Sequence, residues 1–221
     1  MGGKCLSGFQ LKWIAIITMT IDHIGVVLFP QRLWLRMIGR LAFPIFCFLI
    51  AEGCVHTRNR KAYMLRLFAF AILSEIPYNL AIEHSVIARP SVNIFFTLCI
   101  GVATITVLEN LTLEWQRIAT IGVLIVAMEF LGIQFDYGSA GVLLLVGLYY
   151  YRASFMGMLG VLCAVNIFLF GGVQCLAILA IIPISLYNGK RGFPMKHFFY
   201  GYYPVHFLVL WAISSWLQVG V

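Results

Sequence analysis

The chain has 221 residues, of which 62% are hydrophobic and only 10% charged, and it carries a formal net charge of +7. A soluble domain carries roughly 25% charged residues, so composition excludes a water-facing globular surface and leaves lipid as the main solvent. There the backbone must satisfy its own hydrogen bonds, and long continuous apolar runs favour helices over a barrel.

In chain order, apolar runs predict nine helical spans at about 9–29, 33–55, 62–81, 92–108, 117–133, 138–151, 153–170, 172–187 and 201–219. The first is read as a retained helix rather than a cleaved signal, because it is long and contains Asp22 and His23. The sixth and eighth are short for a crossing. The expected architecture is an all-α, polytopic helical bundle forming one domain over 1–221, in which no linker or internal repeat is visible.

Charge sets the orientation. Lys4, Lys12, Arg58, Arg60, Lys61, Arg66, Arg117, Arg152, Lys190, Arg191 and Lys196 all fall on one side if the N-terminus is cytoplasmic, against Arg32, Arg36 and Arg89 on the other. The positive-inside rule explains this asymmetry better than nucleic-acid binding does. Six scattered cysteines without CxxC spacing predict packed hydrophobes, with neither a disulfide framework nor a metal site.

Four charged or titratable groups interrupt the apolar runs. Asp22 and His23 lie in the outward half of the first span, and Arg36 and Arg40 in the early part of the second. Arg36 and Arg40 are four apart and share a helix face. Each charge costs about 2.5–3.5 kcal/mol at a bilayer centre, so the groups must pair or act. An Asp22–Arg40 ion pair pinning two helices accounts for two of them. It leaves His23, which points about 100° away from Asp22 and is the group suited to proton exchange near neutral pH. Glu75 and Asn93 sit at outward span ends, Glu52 at an inward end, and His206 near the inward start of the last span. The aromatic runs Tyr149–Tyr151 and Phe198–Tyr203 read as interfacial belts.

Five strings occur in order: Thr20-Ile21-Asp22-His23, Gly39-Arg40-Leu41-Ala42-Phe43-Pro44, Asn93-Ile94-Phe95-Phe96, Tyr137-Gly138-Ser139-Ala140-Gly141 and Tyr203-Pro204-Val205-His206. In this order and spacing the chain resembles the TraX family from about residue 10 to 215. That family is associated with acetylation of the N-terminal amine of F-type pilin, and it is similar to transmembrane acyltransferases. The resemblance implies acetyl transfer from cytoplasmic acetyl-CoA to an amine or hydroxyl beyond a bacterial inner membrane. The acceptor would be a pilin-like peptide or an envelope glycan or small molecule.

On that reading His23 is the general base, Asp22 orients a neighbour, and Arg40 or Arg36 stabilises the thioester oxyanion with Asn93 as a second donor. Arg58, Arg60, Lys61, Lys190 and Arg191 would dock the coenzyme A phosphates, with Glu52 and His206 along the pantetheine path. Glu75, Tyr137 and Tyr203 complete the candidate set. The demand on the structure is a continuous polar tunnel from the basic face to Asp22 and His23. The rival readings are a proton-linked transporter using the same buried groups, and a non-catalytic partner of a secretion or conjugation apparatus.

Overall fold

The protein, described here from a computed structural model covering residues 4–86 and 91–217, has helix in each of the nine expected stretches as far as they are described. α1 (Gly8–Val27) starts at a capping box in which Ser7 and Gln10 satisfy each other's backbone donors. α4 (Arg60–Ile82) is capped by Asn59 and α5 (Ile94–Asn110) by the buried Asn93, each satisfying a backbone donor that a helix start leaves open. α6 (Glu114–Phe130) begins three residues earlier than expected, and α7 is Gly138–Tyr151. Two-residue strands β1 (Ser91–Val92) and β2 (Gln134–Phe135) pair in parallel and tie the start of α5 to that of α7.

The second expected span is broken into α2 (Leu33–Gly39) and α3 (Ala42–His56). Pro44 explains the break. It has no N–H to give to the carbonyl of Arg40, and its ring clashes with that carbonyl. The seventh and eighth stretches also depart from regular α geometry. α8 (Phe155–Cys163) widens into a π-helical turn over Ala164–Phe170, and Gly172–Ala180 is wound as a 3-10 helix before α9 (Ile181–Ser185). Gly171 and Gly172, at φ 68° and 54°, make the turn between them. The last helix, α10 (Lys196–Leu217), starts five residues before its expected boundary. The aromatic run Phe198–Tyr203 is therefore part of the helix.

α1 packs against α2, α3 and α10; α4 against α5 and α10; and α7 against α3 and α5. α6 lies outside this core and buries only Met128. Large apolar side chains cover the exterior, with Phe130 86% and Ile118 71% exposed. Such a surface suits hydrocarbon rather than water. Among the described residues, three helical stretches, Gly8–Val27, Leu33–His56 and Arg60–Ile82, are long and apolar enough to cross a membrane.

Lys12, Arg66 and Arg191 gather at one end. Residues 6–9 pair with 186–191 there: Leu6 bridges Tyr187, while Gly8 and Phe9 donate their amides to the carbonyls of Lys190 and Arg191. The turns after α3, α5 and α7 join this end through Arg60, which forms a bidentate ion pair with Glu109, and through Tyr149, whose hydroxyl also donates to Glu109. Arg60 and Arg152 both stack on the Tyr149 ring. Tyr149 is thus a buried node of a charged network rather than part of an interfacial belt. Arg89 lies outside the described residues.

Candidate functional site

Asp22 and His23 are adjacent in α1 but serve different partners, because successive helical residues diverge by about 100°. Asp22 faces the break between α2 and α3. Arg40 Nη2 donates to its Oδ1 at 2.5 Å, and Arg36 Nε lies 3.9 Å from the same oxygen. Gly39 makes this approach possible, since a Cβ there would overlap the Asp22 side chain. Arg40 continues the chain inward. Its Nε donates to the Arg36 carbonyl, and its Nη1 to Gln174 Oε1 at 3.1 Å; Gln174 in turn donates to Asn166 Oδ1. Asn166 and Gln174 are buried on the two sides of the π/3-10 turn. The signal for them was available in the sequence: two amides inside long apolar runs, each needing a partner.

The turn before α7 completes this cluster. Tyr137 adopts a left-handed φ of 61° and stacks on Phe43 at 3.7 Å between centroids. A left-handed tyrosine is held against local preference by its surroundings. Beside it, burial pushes the Asp136 carboxyl up to about 6, opposed by the nearby Arg40 guanidinium.

His23 faces α10. Its Nδ1 lies 2.7 Å from His206 Nε2, with the rings stacked at 5.0 Å and 16°. His206 Nδ1 lies 3.1 Å from the Tyr202 carbonyl oxygen, and the Tyr202 hydroxyl is 2.8 Å from Thr20 Oγ1. Phe207 and Tyr203 pack around the pair. His206 is buried, while His23 is half-buried. The expectation that His206 lies toward the inward side is corrected: α10 starts early enough to carry His206 to the depth of His23.

Asn93 is also repositioned in role. Its Oδ1 caps α5 through the Phe95 amide, and its Nδ2 donates to the Ala71 carbonyl at 2.8 Å and to Glu75 Oε2 at 2.5 Å. Both amide hydrogens are engaged, so Asn93 and Glu75 together fasten α5 to α4 rather than offering a donor to an oxyanion. Arg40 likewise spends Nε, Nη1 and Nη2 on internal partners, whereas the Arg36 side chain is 44% exposed.

A cavity of about 460 Å³ opens at the basic end. Lys12, His56, Arg66 and Arg191 line its mouth, and Glu52 lines it beside Tyr187. Its body is apolar, and it reaches Met19, Ile94, Phe95 and Tyr203. Met19 is one helical turn, about 5 Å, short of His23, and Tyr203 packs against both histidines. The expected polar tunnel is thus corrected to a mainly apolar cavity that ends one turn below the histidine pair. Of the five cations expected to dock phosphates, Arg191 lines the mouth; Arg58, Lys61 and Lys190 are exposed outside it, and Arg60 is held by Glu109. Lys12 and Arg66 line the cavity beside Arg191.

The family model described as "TraX protein" matches residues 7–214. The chain belongs to the TraX family. Among curated relatives, a "Probable fimbrial assembly protein FimC, serogroup H1" of Dichelobacter nodosus is 29% identical over 96% of this chain and 97% of its own. "Protein TraX" of Escherichia coli is 28% identical over 65% of this chain and 56% of its own length. No solved structure matches the chain. The family match covers both polar clusters and the whole lining of the cavity.

Proposed function

We propose that this TraX-family chain is a membrane-embedded acetyltransferase. It crosses a bacterial inner membrane nine times, with the N-terminus cytoplasmic, and moves an acetyl group from acetyl-CoA at its basic end to an amine or hydroxyl on the opposite side. The observation that carries this reading is the cavity, which runs from a cationic mouth through an apolar body to within one helical turn of the His23–His206 pair. A cationic mouth suits the nucleotide phosphates, and the narrow apolar body suits a slender thioester arm. The name of the fimbrial assembly relative favours a pilin-like peptide as acceptor, with an envelope glycan or small molecule as the other class.

In the reaction, the acceptor lone pair attacks the thioester carbonyl. A C–N or C–O bond forms, the C–S bond breaks, and the acceptor's proton passes to His23 and then to the departing thiolate, leaving free coenzyme A. Arg36, half-exposed beside Asp22, is the cation available to the developing oxyanion. The Asp22–Arg40–Gln174–Asn166 chain holds the helices that carry these groups.

Incubating the purified protein in lipid nanodiscs with acetyl-labelled acetyl-CoA and extracted envelope fractions tests the proposal. Label should move to one fraction and should not move with His23→Ala. Label that stays on coenzyme A with every fraction, together with substrate counterflow in its absence, would replace the enzyme by a transporter.

A further inference from the structure

Two histidines 2.7 Å apart must divide one proton between them, and the third member of the line decides how. His206 Nδ1 faces the Tyr202 carbonyl oxygen at 3.1 Å. A carbonyl only accepts, so His206 Nδ1 must carry the hydrogen. With both rings neutral, His206 Nε2 is then bare and can only accept, so His23 Nδ1 carries the hydrogen between them. His23 Nε2 is left unprotonated. The opposite assignment would set a bare His206 Nδ1 against a carbonyl oxygen in a buried site, which costs about 1–3 kcal/mol for the unmade bond. A doubly protonated His206 would place an unpaired cation at a buried position.

We infer that His206 is a positioning residue: with the Tyr202 carbonyl it locks His23 in the tautomer whose Nε2 is the bare, proton-accepting atom. The inference rests on the acetyltransferase reading for its chemical purpose, but the tautomer itself is a property of the resting protein. The frame around it is stiff. His206 is stacked between Tyr202, at 5.3 Å and 8°, and His23. Tyr202 is anchored back to α1 through Thr20 Oγ1. A base oriented by a second group that is itself oriented is the arrangement nucleophile activation requires, and here a histidine and a carbonyl fill the places a carboxylate usually takes. When His23 Nε2 accepts the acceptor's proton, Nδ1–H stays bonded to His206, so the imidazolium keeps its orientation and can return the proton to the leaving thiolate.

The test is nitrogen NMR of histidine side chains in 15N-histidine-labelled protein in nanodiscs, with His23→Gln to assign the His23 signals. The expected wild-type spectrum has a protonated Nδ1 and a bare Nε2 on His23. His206→Leu should mix the two tautomers and lower kcat by about 10–10²-fold, less than loss of His23 itself, with KM unchanged. His206→Gln, which keeps an acceptor at the Nε2 position, should restore most of the single-tautomer signal and part of kcat. A wild-type His23 protonated on Nε2, or a folded His206→Leu protein with unchanged His23 signals and unchanged kcat, overturns the inference. The expected spectrum without any acetyl transfer would retain the positioning and overturn the acetyltransferase reading instead. Acetyl transfer that His206→Leu leaves untouched would do the reverse.

Discussion

Asp22 and His23 are neighbours in one helix, yet they belong to two polar systems with different physics. The Asp22 system is a chain of permanent charges and amides, Asp22–Arg40–Gln174–Asn166, in which nearly every donor has an internal acceptor. The His23 system is a line of imidazoles ending on a backbone carbonyl, and among the described residues it leaves one ring nitrogen of a half-buried histidine without a hydrogen-bond partner. Saturated charge holds helices together; an unspent lone pair at the end of an oriented line is available for chemistry. Buried charge in a membrane protein is therefore not by itself the mark of a site.

Substitutions on the two sides of α1 should separate these roles. The largest effect on turnover is expected from His23→Ala, a loss of about 10²–10⁴-fold in acetyl transfer, with the unfolding midpoint in detergent lowered only by the bond that His206 Nε2 no longer receives, about 1–3 kcal/mol. A large fall in that midpoint would mean that His23 is structural. Asp22→Ala should do the opposite. It strands the Arg40 cation and should cost about 3–5 kcal/mol of stability, seen as loss of folded protein. Asp22→Asn combined with Arg40→Met should regain much of that loss, because the pair is then replaced rather than broken. Gly39→Ala, which forces a methyl against Asp22, should cost about 1–3 kcal/mol and push α1 from α2.

Smaller effects are expected at the cavity mouth. Arg191→Ala or Arg66→Ala should raise KM for acetyl-CoA several-fold in low salt, leaving kcat unchanged, and the difference should shrink as salt rises. Arg58→Ala, outside the mouth, should change neither; an equal effect at Arg58 would point to diffuse charge rather than a docking site. Asn93→Ala should cost about 2–4 kcal/mol, the lost helix cap plus the bonds to the Ala71 carbonyl and Glu75, measured by thermal unfolding, with turnover per folded molecule retained.

Much of this was legible in the sequence. Apolar runs marked every helical stretch, and hydropathy with charge located Asp22, His23, Arg36 and Arg40 as groups needing a reason. The break at Arg40–Leu41 was written in Pro44, although a continuous span was the simpler reading of that run. His206 was misplaced because an aromatic run hid the true start of α10, and five residues are well over one helical turn. The partners of Arg60 were not legible, because positive-inside counting treats every loop cation alike, whereas Glu109 and Tyr149, forty or more residues away, pair with this one.

By itself the sequence determined that lipid is the solvent, that the chain is helical, which end is basic, and which residues pay the cost of burial, because these follow from composition and local period. Only the tertiary structure decided which of those residues meet. The approach of α1 to α2 at Gly39 gave Asp22 to Arg40, and the docking of α10 beside α1 gave His23 to His206. Partnership across 18 residues in one case and 183 in the other depends on how helices pack. No local pattern encodes it.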